Sequence, residues 1–389
     1  GVFISLMFLI SAVAKSAQFP FSFWLPRAME GPTPSSAIFY GALSVHVGIY
    51  ILLRTFPFWE HQFSVRVLIA IIGLVSSIIA TGIARVQSSV KSQIAYSSIA
   101  QIGIIFIEVA AGFENLALWH FAGNAFLRTY QLLVSPSTVT YLIREQFYNF
   151  IPRNHSFEDS LPKKIEYTFY MLCLKEWGLD SITYRYLWNP LKWAGRKLDF
   201  LTLNTVMYFF IPAYLLGLFC VYNKSYISPQ IQIYLPMFFS LVGLLTVLKS
   251  FVERMRSLLS WVLIIMSHFW VALAIAFNEQ FKFDEIHIYL SGIAVSGVVG
   301  LFCLRWLRIH ENESGLDRFQ GHSLRHPKLA FIFLLACLGV SGFPISPTFI
   351  GEDLIFTHIQ PKQVFLACVV SLTFIIDGIS LIRIYARIF

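Results

Sequence analysis

The sequence predicts an all-α, polytopic transmembrane helix bundle of about eleven spans, two of them discontinuous, with one amphipathic interfacial segment. Three observations predict it. Of 389 residues, 57% are hydrophobic and only 13% charged, and 38 are phenylalanine. That is more apolar surface than a soluble core needs. Apolar segments long enough to cross a bilayer recur along the chain. Some of them carry an ionisable residue beside a proline, a costly placement in a membrane and one that usually marks an ion or proton path.

The spans are expected near 1–27 (broken), 33–54, 63–84, 92–112, 115–135, 203–222, 231–249, 257–277, 286–307, 329–350 (ending in a break) and 363–384. The stretch 137–202 differs. It contains IEYTFYMLCLKEWGLDSITYRYLWNPLKWAGRKLDF, with aromatics interleaved among charges at helical spacing. That pattern suits a helix lying at the membrane interface and equally an extramembrane loop packed on the bundle. The expected organisation is therefore 1–136, 137–202 and 203–389. Gly1 opens inside an apolar segment with no Met, charged n-region or cleavage site, so no signal peptide is expected. The chain reads as a fragment lacking its N-terminal part.

Two stretches correspond without gaps: KSQIAYSSIAQIGIIF from Lys91 and RSLLSWVLIIMSHFWV from Arg256. Lys91 falls on Arg256, Tyr96 on Trp261 and Ile99 on Ile264, which suggests a faint internal repeat.

Charge and cysteine usage bound the chemistry. The net charge of +8 fits the basic loop ends of a membrane protein, and no nucleic-acid partner is expected. Cys173, Cys220, Cys303, Cys337 and Cys368 are scattered, so neither a metal site nor a disulfide framework is expected. No Gly-rich phosphate loop, Ser/His/Asp constellation, haem spacing or iron–sulfur spacing is present, so no cofactor and no catalytic site are assigned.

Three features point to charge movement. The first is Lys15 in GVFISLMFLISAVAKSAQFPFSFWLP, where Pro20 and Pro26 break the helix beside a lysine. A lysine snorkelling from a helix end is the plainer alternative. The second is LWHFAGNAFLRTYQLL, in which His120, Asn124 and Arg128 are spaced four apart on one helix face. His120 is the proton carrier of that stripe, and Arg128 is a fixed charge rather than a carrier. A structural hydrogen-bonding role for the stripe is the alternative. The third is LGVSGFPISPTFIGEDLIF, where Gly342, Pro344 and Pro347 break a helix ahead of Glu352 and Asp353. The alternative is that the two acids only cap a new helix. Lys15, His120, Arg128 and Glu352 are the expected relay residues. Glu30, Lys91, Glu108, Asn124, His268 and Asp377 are secondary candidates, with His46 weaker, and each fits an interhelical hydrogen bonder equally well.

KSAQFPFSFWLPRAMEGPTPSSA strongly resembles the hallmark of the antiporter-like, proton-conducting membrane proteins: the large distal subunits of respiratory complex I and the large subunits of Mrp-type Na+/H+ antiporters. The resemblance implies that Lys15 belongs to a central proton-transfer axis. VKSQIAYSSIAQIG and HFAGNAFLR resemble the next signatures. Asn124 stands where the family has a second histidine and Arg128 where it has a lysine, so the relay either works differently here or is partly lost. SGFPISPTFIGEDLI resembles the family's second broken helix, with Glu352 at its ionisable position. The resemblance covers roughly residues 1–135 and 250–389. The segment 160–200 resembles the lateral amphipathic region of larger members but precedes the second broken helix, an order consistent with a fusion of two units. Tyr40, where a histidine is common, resembles the membrane subunits of Dab-type inorganic-carbon uptake complexes, which pair with a large soluble zinc protein.

The implied function is proton or Na+/H+ translocation within a multi-subunit membrane complex, in the bilayer of a bacterial plasma membrane. Proton-coupled inorganic-carbon uptake and a structural or vestigial membrane subunit are the alternatives. If an enzyme is involved, it is an NADH:quinone oxidoreductase-type complex of which this chain is a non-catalytic part.

Overall fold

The computed structural model describes residues 1–148, 162–278, 283–311 and 315–389. Residues 149–161, part of the expected interfacial segment, lie outside the described residues. The described chain is helical throughout, without a strand. Among the described residues, eight helices are long and apolar enough to cross a membrane, and two shorter apolar helices, Val2–Lys15 and Pro327–Val340, accompany them. Every one of the eleven expected segments coincides with a helix.

Two compact units divide the chain, Gly1–Leu187 and Trp188–Phe389. In the first, α1 (Val2–Lys15) ends at the lysine and is followed by the short α2 (Trp24–Ala28). Next come α3 (Thr33–Arg54), α4 (Phe63–Val86) and α5 (Val90–Ala111). α6 (Glu114–Tyr148) runs well past the expected limit of 135, through Pro136. α7 (Lys163–Leu174) carries exposed Tyr167, Phe169 and Leu172, and its buried Cys173 abuts Gly82 of α4.

The second unit opens with α8 (Asn189–Arg196), whose Gly195 lies against Val252. It continues with α9 (Leu203–Tyr222), α10 (Pro229–Val252), α11 (Ser257–Ala276) and α12 (Phe283–Glu311). A second broken pair, α13 (Pro327–Val340) and α14 (Pro347–Thr357), precedes α15 (Val364–Ile388).

The surface is apolar where a bilayer would touch it. Phe3, Phe63, Trp119, Phe126, Tyr208, Phe219 and Ile382 are all more than half exposed. α5 and α11, the helices carrying the suspected repeat, are the most buried spans of their units, at 67% and 78%. The aligned Tyr96 and Trp261 are both fully buried.

Both breaks have a definite local cause. After Lys15, Ala17 adopts a left-handed conformation (φ 51°), which α-helical hydrogen bonding does not accommodate. Hydrogen bonds tie the break to three helices, α3, α4 and α5. Ser16 Oγ donates to the Val45 carbonyl at 2.5 Å. The buried Gln18 amide donates to the carbonyls of Ser16 (3.0 Å) and Ile99 (3.2 Å). The Phe19 N–H donates to Ser76 Oγ at 2.8 Å. In the second break, Gly342 at φ 68° ends α13, and the Phe343 N–H reaches back to the Leu338 carbonyl at 3.0 Å. Ser346 then caps α14, with Pro347 in its first turn.

α3 is irregular in its middle. A π stretch at Ala37–Leu43 runs into a 3-10 stretch at Ser44–His46, a distortion often found at functional sites. It is held against α1 by a close approach: a side chain at Gly48 would overlap Ser16 Oγ and the Ala12 carbonyl. Gly48→Val should therefore push α1 off α3 and break the Ser16–Val45 bond. The expected loss is about 1–3 kcal/mol, the usual scale for overpacking. Gly123→Ala, where an added Cβ meets nothing within 4 Å, should be neutral or stabilising. Thermal unfolding of the two purified variants checks the contrast.

Candidate functional site

The polar stripe of α6 faces inward for most of its length: Asn124 and Arg128 are 4% and 8% exposed, while His120 is half-buried. It does not act as one unit, because its residues meet different partners. His120 Nδ1 lies 2.8 Å from Glu108 Oε1 and its Nε2 lies 3.0 Å from Gln101 Oε1, both on α5. An ionised carboxylate and an amide oxygen only accept, so both ring nitrogens donate in an imidazolium–carboxylate pair. With Glu108 protonated, the carboxyl donates to Nδ1 instead. Either way one transferable proton lies on the pair.

Four residues on, Arg128 Nε donates to Asn124 Oδ1 (3.1 Å) and Nη1 to Gln131 Oε1 (2.7 Å). Its Nη2 donates to the Ser97 carbonyl at 3.2 Å. Asn124 Nδ2 in turn lies 3.1 Å from His46 Nε2. An amide nitrogen only donates, so that ring nitrogen accepts and His46 is neutral in this arrangement. The histidine joined to Arg128 is thus His46, at the irregular turn of α3, and not His120. Among the described residues no carboxylate pairs with Arg128. It lines a cavity of about 540 Å³ together with Arg85, Gln93, Ser97 and Gln101.

Lys15 closes α1 and points outward: its side chain is exposed and makes no hydrogen bond or ion pair among the described residues. Glu30 is also exposed. Lys91 Nζ donates to the Gly31 carbonyl at 2.9 Å and so ties the start of α5 to the loop after α2. Nearby, Arg27 and Asp180 form an exposed ion pair at 3.0 Å.

In the second unit, Glu352 on α14 turns back onto the break. Any side chain at Gly342 would overlap its carboxylate, so this glycine serves both the left-handed turn and the room for Glu352. Asp353 is exposed. His268 of α11 and Asp377 of α15 are 1% and 2% exposed and pair at 3.2 Å between Nε2 and Oδ2. Tyr289 of α12 completes the group, its hydroxyl 2.6 Å from His268 Nδ1.

Sequence reading did not single out several of these participants, Gln18, Gln101 and Tyr289 among them. Gln101 and Tyr289 are ordinary residues in apolar helices, and nothing in their local pattern marks them. Gln18 stands inside the quoted KSAQFPF stretch, and a signal was available there: an amide beside a broken helix is suited to satisfying freed backbone groups. Among the described residues, no three His, Cys, Asp or Glu side chains are grouped to hold a metal ion.

Residues 1–148 match the family model described as NADH:quinone oxidoreductase/Mrp antiporter, TM. Similar curated proteins include NADH-ubiquinone oxidoreductase chain 5 of Aspergillus niger, 38% identical over 136 residues, which is 35% of this chain and 21% of that protein. NADH-quinone oxidoreductase subunit L of Rhodobacter capsulatus is 32% identical over 179 residues, 46% of this chain and 24% of that protein. The chloroplastic NAD(P)H-quinone oxidoreductase subunit 5 of Chara vulgaris is 35% identical over 154 residues, 40% of this chain and 23% of that protein. The chain thus spans less than a quarter of the length of each of these relatives. It is an integral membrane protein, and its residues 1–148 are similar to the NADH:quinone oxidoreductase/Mrp antiporter family.

Proposed function

We propose that this chain moves protons across a membrane through ionisable side chains, as one membrane subunit of a larger complex. The observation that carries the reading is the coincidence of broken helices with ionisable groups. Each unit has one helix interrupted among apolar spans, and each interruption has a titratable side chain against it: Lys15 in the first, Glu352 in the second. Each unit also holds a histidine–carboxylate pair, the half-buried Glu108–His120 and the buried His268–Asp377. Such groups are costly in a membrane and are retained where charge must pass.

The outward-facing Lys15 supports the multi-subunit part of the reading. Its helix also exposes Phe3 (61%), Ile4 (51%) and Ile10 (52%). An ammonium at membrane depth needs a polar partner, which another polypeptide segment or subunit would supply. Relatives named as oxidoreductase subunits make a redox-driven pump the first assignment, in a bacterial plasma membrane or its organellar counterpart. Proton-coupled inorganic-carbon uptake with a soluble partner remains the alternative driver for the same path.

A structural subunit is the competing reading, favoured by the chain Arg128–Asn124–His46, which contains no group that readily releases a proton between the arginine and the histidine. Lys15→Ala separates the two. In membrane vesicles carrying the assembled protein, proton flux should be lost while assembly persists; unchanged flux would exclude Lys15 from the path. Arg128 gives a second test. Arg128→Lys keeps the charge and should retain at least partial flux. Arg128→Ala removes the charge and leaves Asn124, Gln131 and the Ser97 carbonyl without their donor, and should abolish flux. Full flux in Arg128→Ala would make the α6 stripe structural.

A further inference from the structure

Residues 188–389 lie beyond the matched family segment, and three helices of that unit bring one polar side chain each to a common enclosed point. His268 (α11), Tyr289 (α12) and Asp377 (α15) are each at most 2% exposed. The Tyr289 hydroxyl lies 2.6 Å from His268 Nδ1, and His268 Nε2 lies 3.2 Å from Asp377 Oδ2. Phe374 stacks on the imidazole at 5.7 Å between ring centroids. The remaining oxygen, Asp377 Oδ1, is buried without a hydrogen-bond partner. Glycines set the approach of α14: a side chain at Gly292 would overlap Thr348, and one at Gly351 would overlap Tyr289. Glu352 follows Gly351 directly on α14, and its carboxylate lies against the break at Gly342. Among the described residues no lysine or arginine pairs with Asp377.

The hydrogen-bond chemistry orders this group. A tyrosine hydroxyl that donates to Nδ1 fixes the proton of a neutral imidazole on Nε2, which then donates to Oδ2. That leaves Oδ1 as a base without a donor, on an enclosed carboxylate with no cation beside it. Such a charge is costly, and binding one proton removes it.

We propose that His268, Asp377 and Tyr289 form a proton-binding station that exchanges its proton with Glu352. In the loading step, the O–H bond of the protonated Glu352 carboxyl breaks and an O–H bond forms at Asp377 Oδ1. The negative charge passes from Asp377 to Glu352, and no other bond changes. Tyr289 acts as a positioning residue, since it touches neither carboxyl and works through the imidazole tautomer. The station rests on the reading of Glu352 as a proton-carrying group, and its test separates the two.

The full protein, with the subunits that co-purify, would be placed in sealed phosphatidylethanolamine–phosphatidylglycerol vesicles. Proton flux under an imposed potassium diffusion potential and infrared spectra of the carboxylic-acid region would be recorded for Asp377→Asn, Tyr289→Phe and Glu352→Gln. The station predicts a carboxylic-acid component that vanishes in Asp377→Asn, shifts in Tyr289→Phe and persists in Glu352→Gln. It also predicts flux lost in Asp377→Asn and slowed severalfold in Tyr289→Phe. A carboxylic-acid region unchanged by Asp377→Asn overturns the proposal, because Asp377 then holds no proton. If Glu352→Gln stops flux while Asp377→Asn conducts normally, the station falls and the Glu352 relay stands. Normal flux in Glu352→Gln overturns the exchange step and the Glu352 relay together. Should Asp377→Asn fail to assemble, Tyr289→Phe decides, since it removes a single hydroxyl: unchanged spectra and flux there overturn the station.

Discussion

The structure depends on one constraint: inside a bilayer, a backbone that leaves its helix must find hydrogen-bond partners within the protein. Each unsatisfied group costs about 1–3 kcal/mol or more. The break after Lys15 meets this constraint with Ser16, Gln18 and Ser76, whose bonds reach α3, α5 and α4. Those bonds do more than compensate. They fix where α1 ends and therefore where Lys15 stands. The close approach at Gly48 serves the same arrangement, since a larger residue would occupy the place of Ser16 Oγ. The second break is made differently, by a left-handed glycine and a serine cap, but it has the same consequence of placing an ionisable group, Glu352, against interrupted backbone.

Electrostatics follow the same logic. A charge enclosed among apolar helices must be paired, neutralised or held by several dipoles. Glu108 and Asp377 are each answered by a histidine, His120 and His268. Arg128 cannot lose its proton and is answered by three oxygen acceptors. Lys249 shows the purely structural version. It is buried near the end of α10 and pairs with Asp199 at 2.8 Å and Glu253 at 2.9 Å, while Arg383 of α15 donates to the Ser250 and Glu253 carbonyls at the end of the same helix, both at 2.8 Å. Lys249 and Arg383 thus close the end of α10, whereas the carboxylates of Glu108 and Asp377 meet histidines.

Much of the fold was legible because hydropathy and proline placement are local signals. Every expected span coincides with a helix, and both breaks fall where Pro20 and Pro344 suggested. α6 contains the expected span 115–135 and continues past it through Pro136 to Tyr148. The candidate site was legible only in part. Spacing on α6 placed Asn124 and Arg128 on an inward face, yet the partners of His120 come from α5 and the partner of Asn124 from α3. Such pairings are tertiary, and no periodicity within one helix encodes them. Glu108, His268 and Asp377 each read as a lone polar residue in an apolar helix, and only their enclosure as pairs separates them from Glu30, which is exposed. Tyr289 carried no signal at all.

The central claim is that protons cross this protein by way of its ionisable side chains. The most direct measurement is proton flux through the assembled complex in sealed vesicles after replacing Lys15 with Met, His120 with Gln and Glu352 with Gln in one chain. These are shape-conserving changes that leave both breaks intact. The account predicts flux at the level of protein-free vesicles with assembly unchanged. Flux equal to that of the unmodified complex would contradict it.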